Sequence, residues 1–176
     1  MKNMKSLRNQ VGATLLELTM SIGIIAVIAI AAISYFNTAN DANRINDEVK
    51  NVNTLTGAIR NMFNSQGDYT GLTNAAIIKS SSFPDRMRVS GSTTQIKHSW
   101  LNNGVTVAPV NNAGTANDSF QITYASIPER ACSDLVSKTF RFYDKVTVNT
   151  TVITTVAGAA TACGTGSTNS IAFTAR

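Results

Sequence analysis

The stretch Val11-Gly12-Ala13-Thr14-Leu15-Leu16-Glu17-Leu18 joins a short basic leader to a long apolar segment. No charged residue occurs in residues 18–40, and the side chains of Leu18–Phe36 are almost all apolar. A helix of about 19 residues, at roughly 1.5 Å per residue, is long enough to cross the hydrocarbon core of a bilayer. Glu17 lies at the start of this segment, where an unpaired carboxylate in hydrocarbon would cost several kcal/mol. A carboxylate at this place therefore requires a partner.

The residues alone leave several interpretations of this segment open. Lys2, Lys5 and Arg8 give the leader positive charge only, which by the positive-inside tendency keeps that end in the cytoplasm. A secretory signal peptide could end at Ala29-Ile30-Ala31, although its apolar core is usually only about 7–15 residues long. A single-pass anchor fits the length, and a buried helix of a soluble protein would not need the basic leader. The pattern favours a membrane helix.

Gly12 followed by Ala-Thr-Leu-Leu-Glu-Leu resembles the junction of type IV prepilins, in which a basic leader ends in glycine and glutamate is the fifth residue after it. The resemblance implies that a prepilin peptidase removes residues 1–12 by cleaving between Gly12 and Ala13, usually with N-methylation of Ala13. It also implies that Glu17 acts in subunit assembly. Ala13 departs from the Phe, Met or Leu that the family more often has there. Residues 13–40 would then form the transmembrane and filament-core helix.

The helix is predicted to continue as an amphipathic segment over residues 41–64. Apolar or neutral side chains recur at steps of three and four along one face, at Ile45, Val49, Val52, Thr56, Ile59 and Phe63. Charged side chains are predicted to take the other positions: Asp41, Arg44, Asp47, Glu48, Lys50 and Arg60. A bend within 37–43, where three asparagines occur, stays open as an alternative.

Residues 65–176 are predicted to form a globular head with an antiparallel β-sheet. Glycine and polar residues over 65–71 end the long helix, and Thr73–Ser80 is predicted as a short capped helix. Alternating apolar and polar residues predict five strands, at Val105–Val110, Phe120–Tyr124, Phe140–Val148, Thr150–Val156 and Ile171–Thr174. Pro128–Val136 has proline and an acidic residue at the start of a helical pattern. The fold class expected is α+β, a long N-terminal helix packed on an antiparallel sheet.

Composition excludes several classes of function. Three of the 15 basic residues lie in the leader, which leaves 12 basic and 10 acidic residues and no basic patch interleaved with aromatics for nucleic acid. Arg86 and Arg88 are interpreted as part of a solvated loop. No phosphate loop, nucleophile elbow or His-x-x-x-His pattern occurs, so we expect no enzyme, no cofactor and no catalytic residue. The weakly charged, hydroxyl-rich surface has two interpretations: it packs against copies of the chain, or it is the surface of an ordinary secreted protein.

The chain has two cysteines, Cys132 and Cys163, which in an exported domain should form a disulfide. On the chain-entropy model this bond would stabilise the head by about 3–4 kcal/mol. The two cysteines and the single histidine, His98, are too few ligands for a metal site. Nothing in the sequence supports a catalytic Cys/His pair. The sequence around both cysteines is similar to type IVb major pilins of the toxin-coregulated, bundle-forming and conjugative thin-pilus groups. The similarity implies that residues 132–163 are an exposed region that packs between subunits.

The resemblance therefore implies a type IVb major pilin of a Gram-negative bacterium. Its precursor would wait in the inner membrane and polymerise into an extracellular filament, a fimbrium, for adhesion, aggregation or conjugative contact. The implied partners are prepilin peptidase, an assembly ATPase with its platform protein, and further copies of the chain. Two alternatives stay open: a minor pilin or type II secretion pseudopilin, and a single-pass membrane protein with a periplasmic ligand-binding head.

Overall fold

The computed structural model describes residues 14–166 and 168–176. The chain divides into two units, the first ending at Asn40 and the second covering Asp41–Arg176. The longest element, α1 (Leu15–Phe63), contributes its first part to one unit and its last part to the other. Residues 37–43, where the sequence left a bend open, are helical throughout.

The second part of α1 presents one face to the core of the head. Ile45, Val52, Thr56, Ile59 and Phe63 are buried, as the three-and-four spacing predicts, and Val49 is partly buried. Leu55 and Ala58 widen this face and are also buried. This burial stabilises the helix in the head, because a helix gains most of its stability in a protein from packing an apolar face.

Six antiparallel strands form one sheet in the spatial order β1-β2-β3-β6-β4-β5. The strands are β1 (Ile96–His98), β2 (Leu101–Val110), β3 (Ser119–Ile127), β4 (Lys145–Val148), β5 (Thr151–Val152) and β6 (Asn169–Ala175). The last strand in sequence, β6, thus pairs with both β3 and β4. A register shift between Tyr124 and Ile127 accompanies the left-handed backbone of Ser126, whose φ is 59°. The predicted α+β fold is confirmed.

One apolar core fills the space between α1 and the sheet. Ile122, Tyr124 and Phe173 are completely buried, and they come from the two central strands β3 and β6. Ile122 lies opposite Phe173 in the register, and Phe173 lies opposite Val146 on the other side. Because residues two apart on a strand point to one face, this register aligns one apolar row across the sheet.

Three shorter helices complete the head: α2 (Asn74–Ile78), α3 (Glu129–Thr139) and α4 (Val156–Ala162). The hydroxyl oxygen of Thr73 accepts a hydrogen bond of 3.2 Å from the backbone N–H of Ala76, which caps α2 as predicted. The helix predicted from Pro128 onward is α3, whose N-cap is Pro128.

Two predicted strands are partly wrong. In Phe140–Val148 only β4 is a strand, and Phe140–Phe142 forms a turn of 3₁₀ helix directly after α3. In Thr150–Val156 only β5 is a strand, because α4 begins at Val156. The short strand β1 was not predicted. Its two buried residues, Ile96 and His98, are too few to show an alternating pattern.

Candidate assembly segment and head surfaces

The first part of α1 exposes its whole apolar surface. All side chains in residues 14–38 are exposed, including Leu15 at 82%, Ile25 at 65% and Phe36 at 65%. Among the described residues, α1 is the one helix long and apolar enough to cross a membrane, with a mean hydropathy of 2.4 in its most apolar window. Exposed apolar area on this scale is unfavourable in water, since burial is worth roughly 25 cal/mol per Å². Lipid or other protein must therefore cover this segment.

Glu17 lies in the first turn of α1, where Thr14 caps the helix. The Thr14 hydroxyl oxygen accepts a hydrogen bond of 3.3 Å from the backbone N–H of Glu17, and the Thr14 carbonyl accepts one of 3.1 Å from Leu18 N–H. Threonine followed three residues later by glutamate is the capping-box pattern, and a carboxylate in the first turn interacts favourably with the helix dipole. Capping by Thr14 was not predicted, although the Thr-x-x-Glu spacing is a sequence signal for it.

The Glu17 side chain is exposed and forms no salt bridge with any residue in 14–166 or 168–176. Ser21 donates a hydrogen bond of 2.8 Å to the Glu17 carbonyl, so only the backbone of Glu17 has a partner along the helix. The other two residues predicted at the junction, Gly12 and Ala13, lie outside the described residues. The Glu17 carboxylate is thus available for the predicted ion pair, but it has no partner among the described residues.

Cys132 and Cys163 form a disulfide with a Cα–Cα distance of 6.0 Å, and the predicted bond is confirmed. Cys132 lies on α3 and is completely buried, and Cys163 is the C-cap of α4 and is 6% exposed. The bond therefore joins the ends of a region that contains β4, β5 and α4. In that region Phe142, Val152 and Val156 are large apolar side chains left exposed.

Glu48 is the main error of the sequence analysis in the head. Its position on the charged side of the predicted stripe suggested exposure, but Glu48 is 1% exposed. Its Oε1 accepts hydrogen bonds from Ser99 N–H at 2.8 Å and from Ser99 Oγ–H at 2.6 Å. Glu48 Oε2 and the Tyr124 hydroxyl are buried without a hydrogen-bond partner among the described residues. Glu48 therefore attaches the turn between β1 and β2 to α1, and the cost of burying its charge is only partly offset.

His98 lies beside this turn and is 5% exposed. Its Nε2 lies 2.9 Å from the Ala125 carbonyl oxygen, and its Nδ1 accepts a hydrogen bond of 3.1 Å from Trp100 N–H. Nε2 must therefore carry the proton and donate it to Ala125, which fixes the neutral tautomer. Burial lowers the pKa of His98, while the Ala125 hydrogen bond and the charge of Glu48 act in the opposite direction.

The His98 ring also stacks on Tyr124, with ring centroids 5.5 Å apart. A Cβ on Gly104 would come within 2.1 Å of His98 Nε2, so only glycine fits at that position. No group of three or more His, Cys, Asp or Glu able to hold a metal ion occurs in the part of the chain that is described. His98 is thus a packed residue of the head.

Arg86 and Arg88 make surface salt bridges. Arg86 Nη1 lies 3.2 Å from Asp47 Oδ1, and Arg88 Nε lies 3.5 Å from Asp85 Oδ1. Exposed pairs of this kind contribute about 0–1 kcal/mol. The Arg86 pair joins the loop to α1, the Arg88 pair lies within the loop, and neither gives a reason to assign a ligand to the loop.

Comparisons with known proteins agree with this architecture. The family model described as PilS N terminal matches residues 42–176. The crystal structure of TcpA, a type IV pilin from Vibrio cholerae El Tor biotype, superposes with a TM-score of 0.57 at 14% identity, covering 76% of this chain and 99% of that chain. The crystal structure of a type IVb pilin from Salmonella typhi superposes with a TM-score of 0.60 at 23% identity, covering 73% of this chain and 97% of that chain. No curated protein matches the sequence significantly.

The match to the family model includes α3, the disulfide and the whole sheet, which is most of the head. The two solved structures share the arrangement of a long N-terminal helix on an antiparallel sheet. The chain therefore belongs to the PilS family and has the fold of type IV pilins.

Proposed function

We propose that this chain is the major subunit of a type IVb pilus, cleaved between Gly12 and Ala13 and polymerised through its apolar helix into an extracellular filament. The observation that supports this most is the difference in burial along α1. The head buries its own core, whereas all side chains of residues 14–38 are exposed. While the subunit is in the inner membrane, lipid would cover its apolar segment. In a filament, the apolar segments of neighbouring subunits would cover it instead.

Moving this segment from lipid to a filament core gains little from the hydrophobic effect, because both surroundings are apolar. Helix packing and polar contacts must supply the difference. Glu17 is the single charged residue in 14–40, so it is the strongest candidate for such a contact. The assembly ATPase and its platform protein would supply the work of extraction from the membrane.

Cleavage after Gly12 would create an amine on Ala13, which could pair with Glu17 of a neighbouring subunit. N-methylation of Ala13 would leave the amine basic and able to carry its positive charge. In an apolar core the attraction between the two charges is less screened than in water, although desolvation offsets much of the gain. A subunit docked out of register would leave each charge unpaired at a cost of several kcal/mol. The pair would therefore select the register of assembly.

Mass spectrometry of filaments sheared from the cell surface tests this proposal. We expect the main component to begin at Ala13, with or without a methyl group. A minor pilin would be present in the same fraction at low stoichiometry. A single-pass anchor would retain Met1 and be absent from the sheared fraction, which would contradict the proposal.

The peptidase step has its own test in Gly12→Ala. We expect the uncleaved precursor, about a dozen residues heavier, to accumulate, because the peptidase must fit an extended backbone that a side chain obstructs. An immunoblot of whole cells measures this. Accumulation of normal-sized protein would contradict the processing step. A comparison of the Gly12→Ala strain with the wild type in adhesion, aggregation and conjugative contact would show which of these functions the filament performs.

A further inference from the structure

A recess of about 240 Å³ lies in the head at the first residues of its part of α1. Its buried lining includes Ile45, 3% exposed, and Ala131, 5% exposed. Trp100, the single tryptophan of the chain, is half-buried and also lines it. The recess thus combines an apolar floor with one large aromatic side chain.

The charged residues that line the recess are Asp41, Arg44 and Arg130, all of them exposed. None of these three forms a salt bridge with another residue in the described part of the chain. The guanidinium groups can therefore bind an external anion, and the Asp41 carboxylate can bind an external cation. This mixture of charges suits a zwitterion better than a plain anion.

The position of the recess in the chain indicates where such a ligand would come from. Arg44 follows the last residue of the apolar segment, Phe36, by eight residues. Even a fully extended chain, at about 3.6 Å per residue, would keep Arg44 within roughly 29 Å of the end of that segment. Tryptophan is enriched at both membrane–water interfaces, where its ring lies at the level of the lipid headgroups, and the arginine guanidinium binds phosphate through paired hydrogen bonds. In a membrane-anchored subunit the recess is tethered close to a layer of such groups.

We propose that this recess binds the headgroup of a zwitterionic phospholipid, with its phosphate on Arg44 and Arg130 and its amine on Asp41. The contact would hold the head at the membrane surface until the subunit leaves the bilayer. The proposal rests on the proposed function in one respect, that the apolar segment is embedded in a membrane before assembly. Fluorescence of Trp100 gives a readout that does not depend on filament formation.

The membrane experiment uses the full chain reconstituted in vesicles of phosphatidylethanolamine and phosphatidylcholine that contain a headgroup nitroxide lipid. We expect the nitroxide to quench Trp100 at least twofold more strongly in the wild type than in Arg44→Gln/Arg130→Gln. The matched control, Arg88→Gln/Arg141→Gln, removes the same charge elsewhere on the head and should quench like the wild type. Flotation of the vesicles measures anchoring separately, so a chain whose apolar segment is not embedded in the membrane would be recognised by its loss of flotation. Equal quenching in all three proteins at equal flotation would overturn the inference.

A second experiment keeps the inference testable even if the chain does not insert. The full chain in detergent at fixed pH is titrated with glycerophosphoethanolamine, glycerol phosphate or inorganic phosphate, and Trp100 emission is followed. We expect glycerophosphoethanolamine to bind at least fivefold more tightly than the other two, and Asp41→Asn to abolish this preference. Equal responses to all three compounds would identify a simple phosphate site and overturn the assignment of a zwitterionic lipid. A response unaffected by Arg44→Gln/Arg130→Gln would overturn the site itself.

Discussion

The two units of the chain use apolar side chains for different purposes. In the head, Leu55, Ile59 and Ile122 are completely buried in a core that the chain itself supplies. In the first unit, Ile25 and Phe36 are each 65% exposed, and nothing in residues 14–38 is buried. The head sequence thus specifies a fold, whereas the first unit specifies a surface that a membrane or other subunits must cover. Substitutions in the head should change folding stability, and substitutions in the first unit should change assembly.

The strongest test of this difference is at Glu17. We expect Glu17→Ala and Glu17→Gln to reduce filament yield more than tenfold, because a subunit without the carboxylate cannot form an ion pair with the amine of a neighbouring subunit. Loss of a buried charge partner costs about 3–5 kcal/mol. Precursor cleavage, membrane insertion and head stability should be unchanged. A shearing assay and electron microscopy, scaled to total cellular pilin, measure the yield. Glu129→Gln, at an exposed acid in the first turn of α3, is the control. Wild-type filament numbers from Glu17→Ala would show that the carboxylate has no role in assembly.

A matched pair of apolar truncations compares the units directly. Leu55→Ala should lower the free energy of unfolding of the head by about 2–5 kcal/mol, since it leaves a cavity at a completely buried position. Ile25→Ala, at a position 65% exposed, should leave that free energy within about 0.5 kcal/mol of the wild type. Urea denaturation in detergent, followed by Trp100 fluorescence, measures both. A head destabilised by Ile25→Ala would contradict the separation of roles.

Removal of the disulfide should also affect the head alone. Cys132→Ser/Cys163→Ser should lower the free energy of unfolding by about 3–4 kcal/mol, because the bond restricts the unfolded chain over a separation of 31 residues. The cellular level of the subunit should fall while cleavage at Gly12 continues. Urea denaturation and an immunoblot measure the two effects. Free thiols in non-reduced surface filaments of the wild type would contradict a structural bond.

The smallest expected effect is a pH dependence from His98. Because burial lowers the pKa of His98 in the folded head, the unfolded chain binds more protons below its ordinary value of 6.5. Stability should therefore be constant above that pH and decrease as the pH falls below it, with a slope of at most about 1.4 kcal/mol per pH unit for one proton. Denaturation of the wild type and of His98→Gln is compared between about pH 5 and pH 8, the range in which histidine titrates. This comparison isolates the effect of His98. An equal slope in both proteins would assign the pH dependence to other groups.

Local patterns predicted most of the architecture. The three-and-four spacing from Ile45 to Phe63 placed the buried face of α1, and the turn residues and Thr73 placed α2. Helix α4 was missed because the residues before it, in the predicted strand Thr150–Val156, are threonine, valine and isoleucine, which favour a strand. A helix signal was nevertheless present, since the Thr155 hydroxyl accepts a hydrogen bond of 3.0 Å from Gly158 N–H at the start of α4.

The surfaces of the head were less predictable, because they depend on contacts between distant residues. Glu48 is buried only because Ser99, 51 residues later, donates two hydrogen bonds to it. The tautomer of His98 is fixed only because Ala125 and Trp100, which lie outside β1, occupy both of its ring nitrogens. Periodicity within α1 or β1 carries no information about either partner. The prediction for the junction around Glu17 depends instead on a local motif with a fixed spacing, and it stays a prediction.

The position of β6 has a consequence for the order in which the protein can be made. β1–β3 and β4–β5 are joined into one sheet only by Asn169–Ala175, the strand that is synthesised last. Until that strand is in place, the chain holds two incomplete half-sheets whose edges can pair with other chains. The apolar helix, which is synthesised first, would by then be anchored in the bilayer. Folding of the head thus ends with the insertion of β6 at the centre of the sheet.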